Sequence, residues 1–120
     1  MEIDEVLRYA EQALVELDSE TLVSCYAPDF LFEDTASGDR ITDKKDLKAY
    51  FDRVFSLPDV SFSDVSFYSL GERAAGQWVW SGISLESGKK YAVRGASLFK
   101  LGKDGIKEEI IFYDPRTAYA

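Results

Sequence analysis

The chain has 120 residues, of which 46% are hydrophobic, and this is enough for a single domain with one core. A net charge of −8 repels phosphate backbones and anionic lipid, so we expect no nucleic acid partner and no membrane partner. The absence of histidine excludes most catalytic triads and zinc sites. The one cysteine, Cys25, cannot form an internal disulfide, and we expect a buried, inert thiol.

These limits predict one domain over residues 1–120 that needs no cofactor and no metal. The N-terminus carries acids and lacks the long apolar run of a signal peptide, and no segment approaches transmembrane length. We therefore expect a cytoplasmic protein.

Apolar residues at helical spacing predict three helices in the first half of the chain. The first spans residues 3–17, and a second, short helix ends at Pro28. A third helix starts at Thr42 or Asp43, either of which can cap it. The apolar stripe of this third helix consists of Leu47, Tyr50, Phe51, Val54 and Phe55.

Strands are predicted from Phe30 to Asp34 and over most of the chain after Pro58. The apolar phase changes between Phe62 and Val65, which indicates a β-bulge near residues 63–64. This order predicts an α+β fold in which a curved antiparallel sheet is wrapped by the three N-terminal helices. Such an arrangement is a cone with a hollow between sheet and helices.

Asp34 is the first candidate for chemistry. It follows Phe30, Leu31 and Phe32, so the strand is expected to carry it into an apolar interior. A carboxyl group in such a place has a raised pKa and can act as a base near neutral pH. The alternative is that Asp34 only begins the polar turn over residues 34–38.

Element order and several motifs resemble the nuclear-transport-factor-2-like superfamily, in particular its SnoaL-like polyketide cyclase and ketosteroid isomerase branch. The motifs are Tyr26-Ala27-Pro28-Asp29, Phe32-Glu33-Asp34, the helix with Leu47, Tyr50 and Phe51, Asp104-Gly105-Ile106, and Phe112-Tyr113-Asp114-Pro115. The resemblance implies a deep apolar pocket, a small apolar molecule as its occupant, and a homodimer through the sheet.

Ketosteroid isomerases of this branch use a strand aspartate as the base, and a tyrosine and an aspartic acid as oxyanion donors. In an ungapped match Asp34 falls on the base, whereas the donor positions fall on Ala10 and near Ser97. Because one missing donor costs about 2.7–4 kcal/mol of transition-state stabilisation, steroid isomerisation by that mechanism is not expected.

Polyketide cyclases of the branch need fewer catalytic groups, since their substrates are already activated. The Asp-Arg-Asp relay of limonene-epoxide hydrolases would correspond to Asp34, Arg94 and Asp114.

Alternation, helical spacing and the resemblance select the residues expected to face the hollow. The expected ligand-binding residues are Tyr50, Phe51, Trp78, Trp80, Ser97 and Phe99. Asp114 is a second catalytic candidate, because an acid near this place acts in the pocket of some relatives. Each has a structural alternative: the tryptophans could fill the core or a dimer interface, Ser97 could be a satisfied core hydroxyl, and Asp114 could cap the turn at Pro115.

Three functions remain open from the sequence. The first is a cofactor-free isomerase or cyclase in which Asp34 transfers protons. The second is a small-ligand-binding module without chemistry. The third is a dimeric assembly domain whose cone is a filled core.

Overall fold

The computed structural model describes residues 2–119, and these form three helices and six strands. Their bounds are α1 Ile3–Glu16, α2 Ser19–Ser24, β1 Tyr26–Asp34, β2 Arg40–Ile41, α3 Lys44–Phe55, β3 Ser61–Leu70, β4 Arg73–Ile83, β5 Lys90–Gly102 and β6 Gly105–Tyr113. The strands form one curved, unclosed sheet in the order β2-β1-β6-β5-β4-β3. The predicted α+β class is confirmed.

One strand pair departs from the expected antiparallel sheet. β1 and β6 run parallel, whereas every other pair of neighbours is antiparallel. Parallel neighbours cannot be joined by a tight hairpin, and here the whole of α3 and β3–β5 lies between them in the chain. The first and the last strand of the chain therefore lie side by side within the sheet.

The boundary between α2 and β1 differs from the prediction. Pro28 does not end a helix; α2 ends at Ser24, and Pro28 lies inside β1. The pairing of β1 with β6 changes register between Tyr26 and Leu31, so Pro28 falls where the ladder is interrupted and its missing N–H costs little. The predicted loop over residues 35–41 also contains the short edge strand β2, which pairs with β1.

The predicted bulge in β3 is confirmed. The register of β3 against β4 shifts between Ser63 and Ser66, and Asp64 has a positive φ of 50°. The extra residue changes which side of the strand faces the helices, as the change of apolar phase indicated.

The core lies between the helices and one face of the sheet. α1 buries an apolar stripe of Val6, Leu7, Ala10, Ala13 and Leu14. α3 begins at the predicted cap Asp43, whose carboxylate accepts hydrogen bonds from the N–H groups of Lys45 (2.8 Å) and Asp46 (3.2 Å). It directs Tyr50 and Phe51 at the sheet. None of the helices within residues 2–119 is long and apolar enough to span a bilayer.

Candidate functional site

A cavity of about 280 Å³ lies between the helices and the sheet. The predicted site residues that line it are Asp34, Tyr50, Phe51, Trp78, Trp80 and Phe99. Its lining also includes the exposed side chains of Ser37, Asp39, Arg53 and Tyr119, so it opens to solvent beside the turn that follows β1. The roles of these residues stay predictions.

Asp34 lies at the end of β1 and is only 2% exposed. Its Oδ1 accepts hydrogen bonds from the backbone N–H groups of Ala36 (3.0 Å) and Ser37 (3.1 Å), as an aspartate that starts a turn does. Its Oδ2 accepts from the hydroxyls of Tyr50 (2.7 Å) and Tyr113 (2.8 Å). The contacts of Oδ1 are those of the turn residue that the sequence offered as one interpretation of Asp34, and the burial is that expected at the end of the strand. A role of Asp34 as a base stays a prediction.

The two tyrosines fix the position of this carboxyl group. Burial, together with the neighbouring Asp34, raises the pKa of the Tyr50 hydroxyl and that of the Tyr113 hydroxyl above the usual value of 10.0. Both groups are therefore neutral phenols at physiological pH and remain hydrogen-bond donors. Tyr113 was not among the predicted site residues.

Trp78 is placed in the cavity wall by a glycine on the next strand. Gly95 pairs with Trp78 across β4 and β5, and a Cβ atom at Gly95 would lie 2.1 Å from Cη2 of the indole. The missing side chain allows the ring to lie flat over the strand. The indole Nε1 then donates a hydrogen bond of 3.0 Å to Oγ of Ser97. Ser97 is fully buried and is not itself a lining residue.

Glu109 is a second carboxyl group in the cavity wall, and the sequence did not reveal it. It is 7% exposed, and its oxygens accept hydrogen bonds from the hydroxyls of Tyr26 and Ser97, the latter at 2.7 Å. Burial raises the pKa of Glu109 above its usual 4.5, although both hydrogen bonds act in the opposite direction. Alternation along the strand did not predict this residue. Ile106 and Glu109 are three residues apart, so both side chains can face the interior only if a β-bulge lies between them.

Asp114 and Arg94 lie outside this site. Asp114 follows the last residue of β6, is exposed, and forms an ion pair of 2.6 Å with Arg116, whose hydrogen bonds lower the pKa of Asp114. Arg94 is exposed on the opposite face of the sheet from Trp78 and Ser97. The structure therefore does not bring Asp34, Arg94 and Asp114 together as a relay.

Trp80 carries the one buried side-chain nitrogen or oxygen in residues 2–119 without a geometrically acceptable hydrogen bond. Its Nε1 lies close enough to the hydroxyl of Tyr91 to affect the pKa of that group. Cys25 is buried and free, and burial raises the pKa of its thiol to about 11, which makes it a weak nucleophile. Within the described part of the chain no three acidic or thiol side chains are grouped as metal ligands.

Residues 6–109 match the family model of the SnoaL-like domain. The chain belongs to the SnoaL-like family. No protein of curated function matches the sequence. The match covers α2, β1, α3 and β3–β5 completely, and so includes Asp34, Tyr50 and Glu109.

Solved structures show the same fold at low sequence identity. A protein of ketosteroid isomerase-like fold from Catenulispora acidiphila, in complex with trimethylamine, is 18% identical with a TM-score of 0.80, over 94% of this chain and 88% of that one. A candidate polyketide cyclase from Xanthomonas campestris is 15% identical with a TM-score of 0.80, over 96% and 92%. A candidate SnoaL-like polyketide cyclase from Shewanella denitrificans is 19% identical with a TM-score of 0.73, over 95% and 91%. The predicted family and cone fold are thus confirmed.

Proposed function

We propose that this SnoaL-like protein is a cofactor-independent enzyme that moves protons on a small apolar molecule, as an isomerase or a cyclase does. One observation carries the proposal. The buried carboxyl group of Asp34 is held by Tyr50 and Tyr113 at the wall of a largely aromatic cavity. A fixed carboxylate in such surroundings is suited to removing a proton from a carbon next to a carbonyl group.

The contacts of Asp34 define how it would act. Two backbone N–H groups and two hydroxyls hold the side chain in one orientation, so no rearrangement is needed before reaction. Asp34 would accept the proton from the substrate carbon and return it to the same or another carbon. The cavity of about 280 Å³ lies just below the usual range of about 300–1,000 Å³, which favours a substrate smaller than a steroid.

A binding module without chemistry is the second candidate. It is favoured by the same four hydrogen bonds, because an aspartate whose oxygens are all engaged can have a purely structural role. This candidate predicts saturable binding and no proton transfer.

Exchange of carbon-bound hydrogen separates the two candidates. We expect the wild type to exchange the acidic protons of small enolisable ketones in deuterated water, measured by NMR. Asp34→Asn should reduce this rate at least about 100-fold, the usual contribution of a general base. The matched control is Glu33→Gln, which makes the same change on the adjacent residue of β1 and should keep the wild-type rate.

Quenching of tryptophan fluorescence by the same ketones measures binding separately. A folded Asp34→Asn protein that binds and exchanges as fast as the wild type would contradict the proposal. Binding without exchange in the wild type would favour the binding module.

A further inference from the structure

Glu109 has the surroundings of a neutral carboxylic acid. In the sheet it stands between Phe32 of β1 and Phe99 of β5, so its neighbours at the same level are aromatic rings. Its hydrogen-bond partners are two hydroxyls, and no cation within residues 2–119 forms an ion pair with it. A buried carboxyl group without a cation is more stable protonated, because burial disfavours the charged form.

A chain of hydrogen bonds determines which oxygen of Glu109 carries the proton. The indole of Trp78 can only donate, so Ser97 Oγ accepts its bond and directs its own hydrogen to Oε2 of Glu109. Oε2 is therefore the acceptor oxygen, and the proton of the neutral group belongs on Oε1. Tyr26 also contacts Oε1, and this oxygen can accept that bond and still donate its own hydrogen.

Asp34 and Glu109 lie on neighbouring strands with their side chains in the same cavity. Asp34 pairs with Ile111, two residues beyond Glu109, so the strand spacings separate the two Cα atoms by about 8 Å. That separation leaves room for a small molecule to contact both carboxyl groups.

We propose that Glu109 is a second catalytic residue, a neutral acid that hydrogen-bonds the carbonyl oxygen of the substrate and protonates it, so that the substrate is an uncharged carbonyl compound. This proposal rests on the proposed function in that Asp34 supplies the base.

The two carboxyl groups complete a balanced proton transfer. Asp34 takes the proton from the carbon beside the carbonyl, and the electron pair of that C–H bond forms the C=C bond of an enol. The carbonyl oxygen gains the electron pair of the C=O π bond and takes the proton of Glu109, which becomes a carboxylate. In the second half Asp34 returns its proton to a carbon and Glu109 recovers its proton from the enol oxygen, so both groups end as they began.

Several ionisable groups bear on the charge of Glu109. β1 contributes Tyr26 and Asp34, α3 contributes Tyr50, and β6 itself contributes Tyr113. β4 and β5 contribute the uncharged Trp78 and Ser97, and the lining part of α1 is apolar. Arg53 and Asp39 line the same cavity from exposed positions. The three tyrosines stay neutral, because burial raises the pKa of each hydroxyl, so burial of Glu109 itself is what favours its protonated form.

Infrared spectroscopy tests the protonation state directly. The wild type at pH 7 should show a carboxylic-acid C=O stretching band that is absent from Glu109→Gln and retained in Asp34→Asn. If Glu109→Gln loses no such band, Glu109 is ionised and the proposal is overturned. Because this measurement needs no substrate, it holds whether or not Asp34 proves to be a base.

Binding of cyclohex-2-enone, followed by NMR titration, tests the contact with the carbonyl oxygen. Glu109→Gln keeps a donor and should bind like the wild type, whereas Glu109→Leu should bind about 3- to 10-fold more weakly, the effect of one hydrogen bond. Cyclohexene, which lacks the oxygen, should bind all three proteins alike. Wild-type binding of cyclohex-2-enone should weaken as the pH rises and Glu109 ionises, while binding to Glu109→Gln should not change.

If the binding of cyclohex-2-enone depends on pH in the same way in the wild type and in Glu109→Gln, the proposal is overturned. It is also overturned if Glu109→Leu loses affinity for cyclohexene and for cyclohex-2-enone to the same extent. If Glu109→Leu does not fold, the pH profiles of the other two proteins decide. Loss of proton exchange in Glu109→Gln with unchanged ketone binding is the expected catalytic result. Retained exchange in Asp34→Asn would refute the proposed base without altering these binding outcomes.

Discussion

At the scale of single residues, two carboxyl groups share one cavity but have different surroundings. Asp34 meets four donors, two of which are backbone N–H groups, whereas Glu109 meets two hydroxyls between aromatic rings. Enzymes commonly assign the roles of acid and base to a pair of groups in this way. The consequence for Glu109 reaches beyond catalysis to stability.

Glu109 should make the protein less stable as the pH rises. Its pKa is raised in the folded state above 4.5, so the unfolded chain ionises first and the free energy of unfolding falls between pH 4.5 and the folded pKa. The stabilisation from the folded proton is therefore complete below pH 4.5 and is lost as the pH passes the folded pKa. Glu109→Gln cannot ionise, so its stability relative to the wild type should increase with pH.

Urea unfolding from about pH 5 to about pH 8 measures this difference. Glu108→Gln is the matched control, because it makes the same change one residue earlier in β6, where the side chain is less buried. Parallel stability curves for the wild type and Glu109→Gln would show that burial does not perturb this carboxyl group.

At the scale of elements, the cavity depends on how neighbouring strands match large and small side chains. β4 presents Trp78 to the helices, and β5 leaves space for it at Gly95. The same pair of strands brings Ser97 within reach of the indole and of Glu109 on β6. The space at one glycine thus determines the geometry of three side chains.

Gly95→Ala should therefore destabilise the protein through Trp78. The added Cβ atom would lie 2.1 Å from the indole, and displacing a packed ring commonly costs about 1–3 kcal/mol. Trp78→Phe, which has a shorter ring, should reduce the cost of Gly95→Ala in the double variant. Urea unfolding of the four proteins measures this coupling.

Ala96→Ser is the control, because this change adds one atom on the exposed face of β5 beside Gly95 and should alter stability by less than about 0.5 kcal/mol. If the effects of Gly95→Ala and Trp78→Phe on the free energy of unfolding are additive in the double variant, the indole can move away from the added Cβ atom without cost.

At the scale of the whole molecule, the helices cover one face of the sheet and leave the other open. Leu98 of β5 and Phe112 of β6 lie on this open face and are 52% and 45% exposed. Neighbouring apolar side chains of this kind are typical of protein–protein contacts. The resemblance to the superfamily implied a homodimer through the sheet, and this open face is where we predict that it forms.

We predict that sedimentation at micromolar concentration gives the mass of a dimer, and that Leu98→Asp gives that of a monomer, because a buried unpaired charge opposes association. Leu85→Asp is the matched control; Leu85 is 71% exposed but lies in the turn between β4 and β5, away from this face. A wild type that stays monomeric at all concentrations would contradict the prediction.

Patterns of apolar residues determined the elements and most of their faces. Helical spacing located α1 and α3. Alternation grouped Trp78 with Trp80 on one face of β4 and Ser97 with Phe99 on one face of β5, and the family resemblance placed the tryptophan face inward, where the structure has it. These predictions succeed because the side-chain period of a helix or strand is a local property. Asp34 was found in the same way, from the apolar residues before it.

Only the tertiary structure decided which groups share the cavity with Asp34. Tyr26, Glu109 and Tyr113 belong to β1 and β6, whose parallel pairing joins distant parts of the chain. The register of β6 against β5 also shifts, since Lys100 pairs with Glu108 and Leu101 with Ile106, and this shift turns Glu109 inward. A shift of one residue reverses every later side chain, and apolar residues on both faces of β6 leave its position unmarked in the sequence.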